Sequence, residues 1–202
     1  GEAMLDSPDL VLGDLRTPGL INALFDEARP TIVFHAAALK HLTLTERFPE
    51  EAFLTNVAAT RDLLAAATSH DVRLFINIST DKAADPTSVL GYSKRIAERL
   101  TAAVGRSLPP ERRFISVRFG NVLGSRGSVL HTFASQLERG LPLTVTDPRM
   151  ERFFMSINEA CQLVLQAGAL GRSGEVLVLD MGEPHNIESL ARRFAALMGY
   201  DE

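Results

Sequence analysis

An acidic and a basic side chain stand next to each other directly after an apolar segment of strand length. The segment at residues 73–78 (RLFINI) is followed by Ser79, Thr80, Asp81 and Lys82. In an open α/β sheet, ligands bind beyond the carboxyl ends of the strands. A carboxylate and an amine at that position can act as general acid and general base on one substrate. The same residue types also form turns and helix N-caps, so their spacing alone leaves both interpretations open.

Another lysine, Lys94, lies on the helix predicted after this turn. Leu90 precedes it by four residues and shares its helical face, whereas Tyr92 precedes it by two residues and does not. Taken alone, Lys94 is typical of a solvated surface lysine.

Small residues follow a second predicted strand, at residues 31–35 (TIVFH). They are three alanines, Ala36, Ala37 and Ala38. Small side chains at a strand end let a cofactor approach the backbone, and they also suit packing between helix and strand. His35 is equally consistent with a buried core histidine, and no second histidine at metal-ligand spacing accompanies it. We therefore predict no metal site.

A glycine-rich stretch at residues 120–128 (GNVLGSRGS) joins a predicted strand to a predicted helix. Asn121, Arg126 and Ser128 precede the helix N-terminus, where an anionic diphosphate could be bound. Arg152 is a further candidate for the same role. The alternatives are a capped loop with an exposed arginine at residues 120–128, and a surface ion pair for Arg152.

The elements that must position these residues alternate between strand and helix. This rhythm predicts right-handed βαβ crossovers and an α/β fold, a Rossmann-type doubly wound parallel sheet with a small C-terminal lobe. The segment at residues 31–35 is β-branched and apolar, which is typical of a strand buried on both faces. Residues 1–140 are predicted to form a partial nucleotide-binding domain, and residues 141–202 a partial lobe interleaved with it. The predicted strands are residues 9–13, 31–35, 73–78, 114–119, 143–145 and 176–179, and the predicted helices are residues 18–28, 46–69, 89–104, 129–139, 157–169 and 187–198.

Composition narrows the class of protein. The chain has 202 residues, 46% of them hydrophobic and 23% charged, which is typical of a globular chain with a real core. The formal net charge of −4 argues against an electrostatic nucleic-acid binder. One cysteine, Cys161, excludes an intramolecular disulfide. This cysteine usage is typical of a cytoplasmic chain and not of a secreted one. No apolar run approaches the ~20 residues that span a bilayer, so we expect no membrane contact of the chain's own.

Four segments in order resemble one known family. They are residues 34–46 (FHAAALKHLTLTE), 78–98 (ISTDKAADPTSVLGYSKRIAE), 117–129 (VRFGNVLGSRGSV) and 151–184, which run from ERFFM to GEVLVLDMGEP. Together they are similar to the polysaccharide-biosynthesis branch of the extended short-chain dehydrogenase/reductase family, which includes bacterial UDP-N-acetylglucosamine 4,6-dehydratases. The resemblance implies NAD or NADP as cofactor, a UDP-sugar as substrate, and a homo-oligomer. Larger members of the branch are membrane-anchored, which leaves anchoring of a longer protein at the inner face of the membrane open.

The resemblance also implies roles for individual residues. The cofactor would contact Asp14, Leu15, Ala36, Ala37, Ala38, Lys40, Asn56 and Lys94, with Asp14 near the adenine and Lys94 on the nicotinamide ribose. The substrate would contact Asn121, Arg126, Ser128, Val129 and Arg152.

The implied reaction is a dehydration without net redox change. Oxidation at sugar C4 acidifies the C5 proton, a base removes that proton, and an acid protonates the departing 6-hydroxyl. By resemblance, Thr80 binds the C4 hydroxyl, Asp81 is the acid and Lys82 is the base. The family's usual tyrosine position holds Leu90, which favours a subgroup without that tyrosine. The alternatives are an NAD-dependent epimerase of the same family and a non-catalytic nucleotide-sugar-binding relative.

One expected feature of the fold is missing. A dinucleotide-binding sheet normally begins with a strand, a Gly-x-Gly-x-x-Gly turn and a helix, and that motif does not occur here. We therefore expect the chain to begin near the third strand of such a sheet, as a piece of a longer protein. Whether this piece is active by itself is left open.

Overall fold

Four parallel strands form the central sheet of the computed structural model, which describes residue 7, residues 9–124 and residues 128–200. The strand order is β1-β2-β3-β7, and the register aligns the carboxyl ends at one edge. Two further two-stranded sheets pair β4 with β6 in parallel and β5 with β8 in antiparallel orientation. The strands are β1 Ile32–His35, β2 Leu74–Ile78, β3 Arg113–Arg118, β4 Asn121–Val122, β5 Glu151–Arg152, β6 Phe154–Met155, β7 Val176–Val178 and β8 His185–Asn186.

Helices cover both faces of this sheet. Phe75 and Phe114 contact α1, α4 and α5 on one face, and Ile76 and Ile115 contact α7 on the other. A third cluster joins α6 to α8 around Phe133. The helices are α1 Leu20–Ala28, α2 Leu42–Arg47, α3 Pro49–Phe53, α4 Ala59–Ser69, α5 Val89–Ser107, α6 Val129–Glu138, α7 Ile157–Leu170 and α8 Ile187–Leu197. The predicted doubly wound sheet is confirmed, while the division at residue 140 stays a prediction.

The helix predicted at residues 46–69 is divided. Pro49 lacks the N–H that a continuing helix needs, so α2 ends at Arg47 and α3 begins at Pro49. A π-helical segment, Leu54–Ala58, then joins α3 to α4. Such π segments are frequent at functional sites, and this one carries Asn56.

Three strand expectations were wrong in detail. Residues 9–13 form no strand, because the sheet that the structure describes ends at β1 and offers them no partner. Residues 143–145 pack against α6 and α8 without joining a sheet. The strand β1 is not buried on both faces: Val33 contacts the core, while Ile32 and Phe34 are 50% and 48% exposed on the opposite face. An edge strand has no neighbour to help cover that face.

Candidate active site

The carboxyl ends of β1, β2 and β3 open into a cavity of about 550 Å³. The loop after β1, the turn after β2, α5 and the start of α6 form its wall. Segments far apart in the chain therefore bring most predicted site residues into one cavity. These are Ala36, Ala38, Lys40, Thr80, Lys82, Lys94, Asn121, Ser128, Val129 and Arg152.

The turn after β2 joins the predicted acid and base directly. One oxygen of Asp81, Oδ1, accepts hydrogen bonds from Lys82 Nζ at 2.9 Å and from Thr80 Oγ1 at 2.8 Å. Burial raises the pKa of the Asp81 carboxyl, but the hydrogen bonds and charge of Lys82 and the Thr80 hydroxyl outweigh burial and leave the pKa below its ordinary value. The Asp81 side chain is therefore an ion-paired carboxylate at neutral pH.

Lys94 is a buried cation at the cavity wall. Its residue is only 6% exposed, and burial lowers the pKa of its ammonium to about 8, while the Glu98 carboxylate raises it. In the part of the chain that the structure describes, the ammonium has no hydrogen-bond acceptor. A buried donor of this kind requires acceptor oxygens, which ligand hydroxyls at this place would provide.

Asn56 lies behind the loop after β1. Its side chain accepts a hydrogen bond from Leu39 N at 2.8 Å and donates to Leu39 O at 3.0 Å and to Ser93 Oγ at 3.0 Å. The π segment directs this side chain at the loop, so Asn56 supports the backbone beside Lys40 from outside the cavity wall. Ala37, also predicted to contact the cofactor, is likewise absent from the wall.

The first predicted cofactor residues lie away from the cavity. Asp14 pairs with Arg16 at 2.8 Å, and Arg16 also pairs with Glu51. Leu15 contacts the core cluster of α1 and α4. Both residues remain predicted cofactor contacts that this arrangement does not bring to the site.

The start of α6 is the candidate anion site. Ser128 is its N-cap residue, and its hydroxyl oxygen is buried without a hydrogen-bond partner in the described structure. Asn121 and Arg152 line the same cavity from β4 and β5. An unsatisfied hydroxyl beside the first N–H groups of a helix suits a phosphate oxygen. Arg126, predicted for the same role, lies outside the described residues.

His35 is a core histidine. It is buried, and its Nε2 lies 2.8 Å from Thr60 Oγ1, which itself donates to the carbonyl of Asn56. The Thr60 hydroxyl proton is thus engaged, so Nε2 of His35 carries the proton in this pair. Burial first, and the positive charge of Lys94 second, lower the pKa of His35 to about 4.

This low pKa predicts acid sensitivity. Between about pH 6.5 and pH 4 the unfolded chain binds a proton at His35 and the folded chain does not, so stability is lost as the pH falls through this range. We expect His35 to account for about 3 kcal/mol of the loss in unfolding free energy. Urea unfolding at several pH values measures this loss. In His35→Gln, the decrease in unfolding free energy between about pH 6.5 and pH 4 should be smaller by that amount. The exposed His131 provides the control. His131→Gln should lose as much unfolding free energy on acidification as the wild type does.

Sequence reasoning missed two charged residues beneath the site, Glu98 and Arg118. They form a salt bridge at 2.6 Å, with both side chains largely withdrawn from solvent. A charged residue among the buried positions of α5, such as Leu90 and Ala97, was the signal that could have identified Glu98.

Comparison with known protein families identifies the family of this chain. The family model described as "Polysaccharide biosynthesis protein" matches residues 3–202. The chain belongs to this polysaccharide biosynthesis protein family. The resemblance inferred from the four sequence segments is thereby confirmed.

Relatives of this family member carry different names. It is 46% identical to the capsular polysaccharide biosynthesis protein CapD of Staphylococcus aureus over 95% of the chain and 32% of CapD. It is 41% identical to the UDP-glucose 4-epimerase of Rickettsia typhi over 83% of the chain and 49% of the epimerase. The chain thus spans between a third and a half of these relatives.

A solved structure supports the fold of the family member. The DesIV dTDP-glucose 4,6-dehydratase of Streptomyces venezuelae, a double mutant solved with NAD bound, superposes with a TM-score of 0.83. Identity is 22% over 94% of this chain and 63% of DesIV, so the likeness concerns the fold alone. It agrees with the Rossmann-type sheet described above.

Two further findings concern the whole described chain. None of its helices is both long and apolar enough to cross a bilayer. Its described residues contain no group of three or more His, Cys, Asp or Glu that could hold a metal ion.

Proposed function

We propose that this family member is the catalytic part of an NAD(P)-dependent nucleotide-sugar 4,6-dehydratase, a lyase that acts on UDP-N-acetylglucosamine or a similar UDP-sugar. The observation that carries the proposal is the hydrogen bonding of Asp81, which is itself absent from the cavity wall, to Thr80 and Lys82, which line the wall together with Lys94. The family supports a nucleotide-sugar-modifying enzyme in general. The specific dehydratase reaction is the proposal.

The residues present fit the proposed cofactor. The Lys94 ammonium needs acceptors, and the ribose hydroxyls of a nicotinamide nucleotide would supply them. The alanines at 36 and 38 leave the strand end open to close approach. The chemistry that bound NAD(P) supplies here is acceptance of hydride from the sugar and its later return.

In this proposal, Thr80 and Asp81 remove the C4 hydroxyl proton. The Thr80 hydroxyl already donates to Asp81 Oδ1, so a proton accepted by Thr80 from the sugar can pass to the carboxylate. Asp81 is ionised beforehand because its pKa lies below the ordinary value. After the transfer, Asp81 is a neutral acid that can protonate the departing 6-hydroxyl.

Lys82 is the base in this proposal. Its ammonium lies 2.9 Å from the Asp81 carboxylate. Because only the neutral amine can accept a proton, the ammonium first releases one proton to water. The C5 proton of the 4-keto sugar then moves to Lys82 Nζ and can be returned to C5 at the end.

The diphosphate of the substrate would lie at the start of α6. Ser128 would donate its unsatisfied hydroxyl, and Asn121 and Arg152 would contribute donors from the facing strands. Val129 would line the same place. These groups bind and orient the nucleotide while the turn after β2 carries the chemistry.

The second candidate is an epimerase, favoured by the 41% identity to a protein named UDP-glucose 4-epimerase. Leu90 argues against an epimerase. Its apolar side chain lines the cavity one helical turn before Lys94, at the position where the family usually has a tyrosine. An epimerase returns hydride to C4 and leaves the mass of the sugar unchanged.

A mass spectrum separates the two functions. We would incubate the full-length protein with UDP-N-acetylglucosamine and NAD⁺ and measure the sugar nucleotide. Loss of one water, ~18 Da, is the result expected from dehydration at C5 and C6. An unchanged mass with a new isomer on chromatography would establish the epimerase instead. No conversion of any UDP-sugar tried would overturn both.

A further inference from the structure

A buried carboxylate joins α5 to the turn that carries the proposed acid and base. Glu98 is 1% exposed and lies one helical turn after Lys94. Ser79 Oγ donates to Glu98 Oε1 at 2.6 Å. Arg118 donates to both oxygens, from Nε to Oε1 at 2.7 Å and from Nη2 to Oε2 at 2.6 Å. Every described partner of this carboxylate is thus a group at the carboxyl end of the sheet or on α5 itself.

The network also reaches the far end of the turn. Arg118 Nη2 and Arg95 Nη1 each donate to the carbonyl of Ala83 at 3.3 Å. Arg95 lies 3.8 Å from the Glu98 carboxylate. Ser79 precedes Thr80 and Ala83 follows Lys82, so the groups around Glu98 contact the turn on both sides of the proposed catalytic residues.

The carboxylate lies outside the cavity itself. Glu98 is not among the residues that line the wall, whereas Thr80, Lys82 and Lys94 are. Because the Glu98 carboxylate is buried and both of its oxygens accept hydrogen bonds from Ser79 or Arg118, it is closed to a ligand in the cavity. Its contacts can influence the reaction only through the residues that line the wall.

We propose that Glu98 is a positioning residue, whose carboxylate fixes the turn at residues 80–82 against Lys94 so that acid, base and ribose-binding lysine keep one geometry. The inference rests on the proposed function, because it assigns Glu98 a part in that site. A bidentate contact with a largely buried arginine fixes the geometry of both groups, which suits this role.

The structure also couples Glu98 to Lys94 by charge. Burial lowers the pKa of Lys94, and the Glu98 carboxylate opposes that effect. The other titratable or charged side chains on the elements around Lys94 are His35 on β1, Asp81 and Lys82 on the turn, and Lys40, His41 and Arg152 on the cavity wall. Among the anions, Glu98 is the one that raises the pKa of Lys94.

The test is Glu98→Gln in the full-length protein, since glutamine keeps the shape and removes the charge. We expect kcat for the sugar-nucleotide reaction to fall about tenfold or more, because small displacements of reacting groups have effects of that size. KM for the UDP-sugar should stay within about twofold, since the substrate contacts are untouched. The ionisation of Lys94 should move to lower pH.

Thr101→Val is the matched control. Thr101 is buried on the same helix, and its hydroxyl donates to Ala97 O at 2.8 Å, away from the turn. This variant removes a buried hydrogen bond, so it should lose stability and keep the wild-type kcat. Ser79→Ala is the milder second variant if Glu98→Gln folds poorly, and a smaller fall in kcat with little loss of stability is expected.

Three outcomes would overturn the proposal. The first is wild-type kcat in folded Glu98→Gln, and the second is wild-type kcat in Ser79→Ala when Glu98→Gln does not fold. The third is a parallel fall of kcat and thermal stability in Glu98→Gln and Thr101→Val alike, which marks a structural role only.

Failure of the proposed function gives a different pattern. If the wild type converts UDP-sugars by another reaction, kcat is measured for that reaction. If it converts none, an NMR titration of the Lys94 side chain in wild type and Glu98→Gln still tests the coupling between Glu98 and Lys94. A downward shift of the Lys94 pKa in the variant supports the coupling, and an unchanged pKa overturns it.

Discussion

Replacing Lys82 by methionine in the full-length protein is expected to reduce formation of the 4-keto-6-deoxy product by about a thousandfold or more. General acid and base groups contribute about 10²–10⁴ each to the rate. Methionine preserves the length of the side chain but cannot accept the C5 proton. Asp81→Asn should have an effect of the same size, because an amide neither accepts the C4 proton nor protonates the leaving 6-hydroxyl.

The two variants differ when a UDP-4-keto sugar is supplied in heavy water. Asp81→Asn should still exchange the C5 proton for deuterium, since Lys82 remains and the ketone is already present. Lys82→Met should show no exchange. Exposed Asp85, four residues beyond Asp81, gives the control, and Asp85→Asn should retain nearly full activity. Exchange that persists in Lys82→Met would remove this lysine from the role of base.

The fold could be predicted largely because each central element carries its own signal. The apolar segments before Ser79 and after Arg112 are buried strands in the structure, and the helical periodicity after Ser88 marks α5. The strand predictions were wrong where strand formation or burial depends on neighbouring elements. Residues 9–13 and the face of β1 that carries Phe34 have strand-like sequences, but no described element covers them.

The site was predictable to the extent that its residues follow strand ends. Thr80, Asp81 and Lys82 adjoin β2, so their positions followed from the sheet rule. Lys94 and Glu98 show what a sequence leaves out. A lone lysine and a glutamate in a polar helix are usually solvated, and only the packing of α5 against β2 and β3 buries both.

Close contact between α5 and the turn after β2 predicts the second large effect. Gly91 lies on the face of α5 against this turn, and a Cβ there would be 2.6 Å from the carbonyl oxygen of Lys82 and 3.2 Å from Pro86 Cα. Both obstacles are backbone atoms, so the turn or the helix must shift. Alanine favours helices by up to about 1 kcal/mol over glycine, which overpacking of about 1–3 kcal/mol outweighs.

Gly105 supplies a control on the same helix. Its added Cβ would lie 2.8 Å from the carbonyl oxygen of Phe114 and 2.9 Å from Gly174 N, which is an equally close contact away from the cavity. Gly91→Ala and Gly105→Ala should therefore lose similar unfolding free energy in urea titrations. Only the contact at Gly91 displaces the residue that carries the proposed base.

The kinetics should separate these two variants. Gly91→Ala is expected to lower kcat about 10- to 100-fold, because a shift of about 1 Å in a reacting group can have effects of that size. Gly105→Ala should keep kcat within about twofold under conditions where both variants are folded. Equal kcat in the two would show that the turn tolerates displacement. Catalysis would then depend on the flexible Lys82 side chain reaching the sugar and not on the backbone that α5 holds in place.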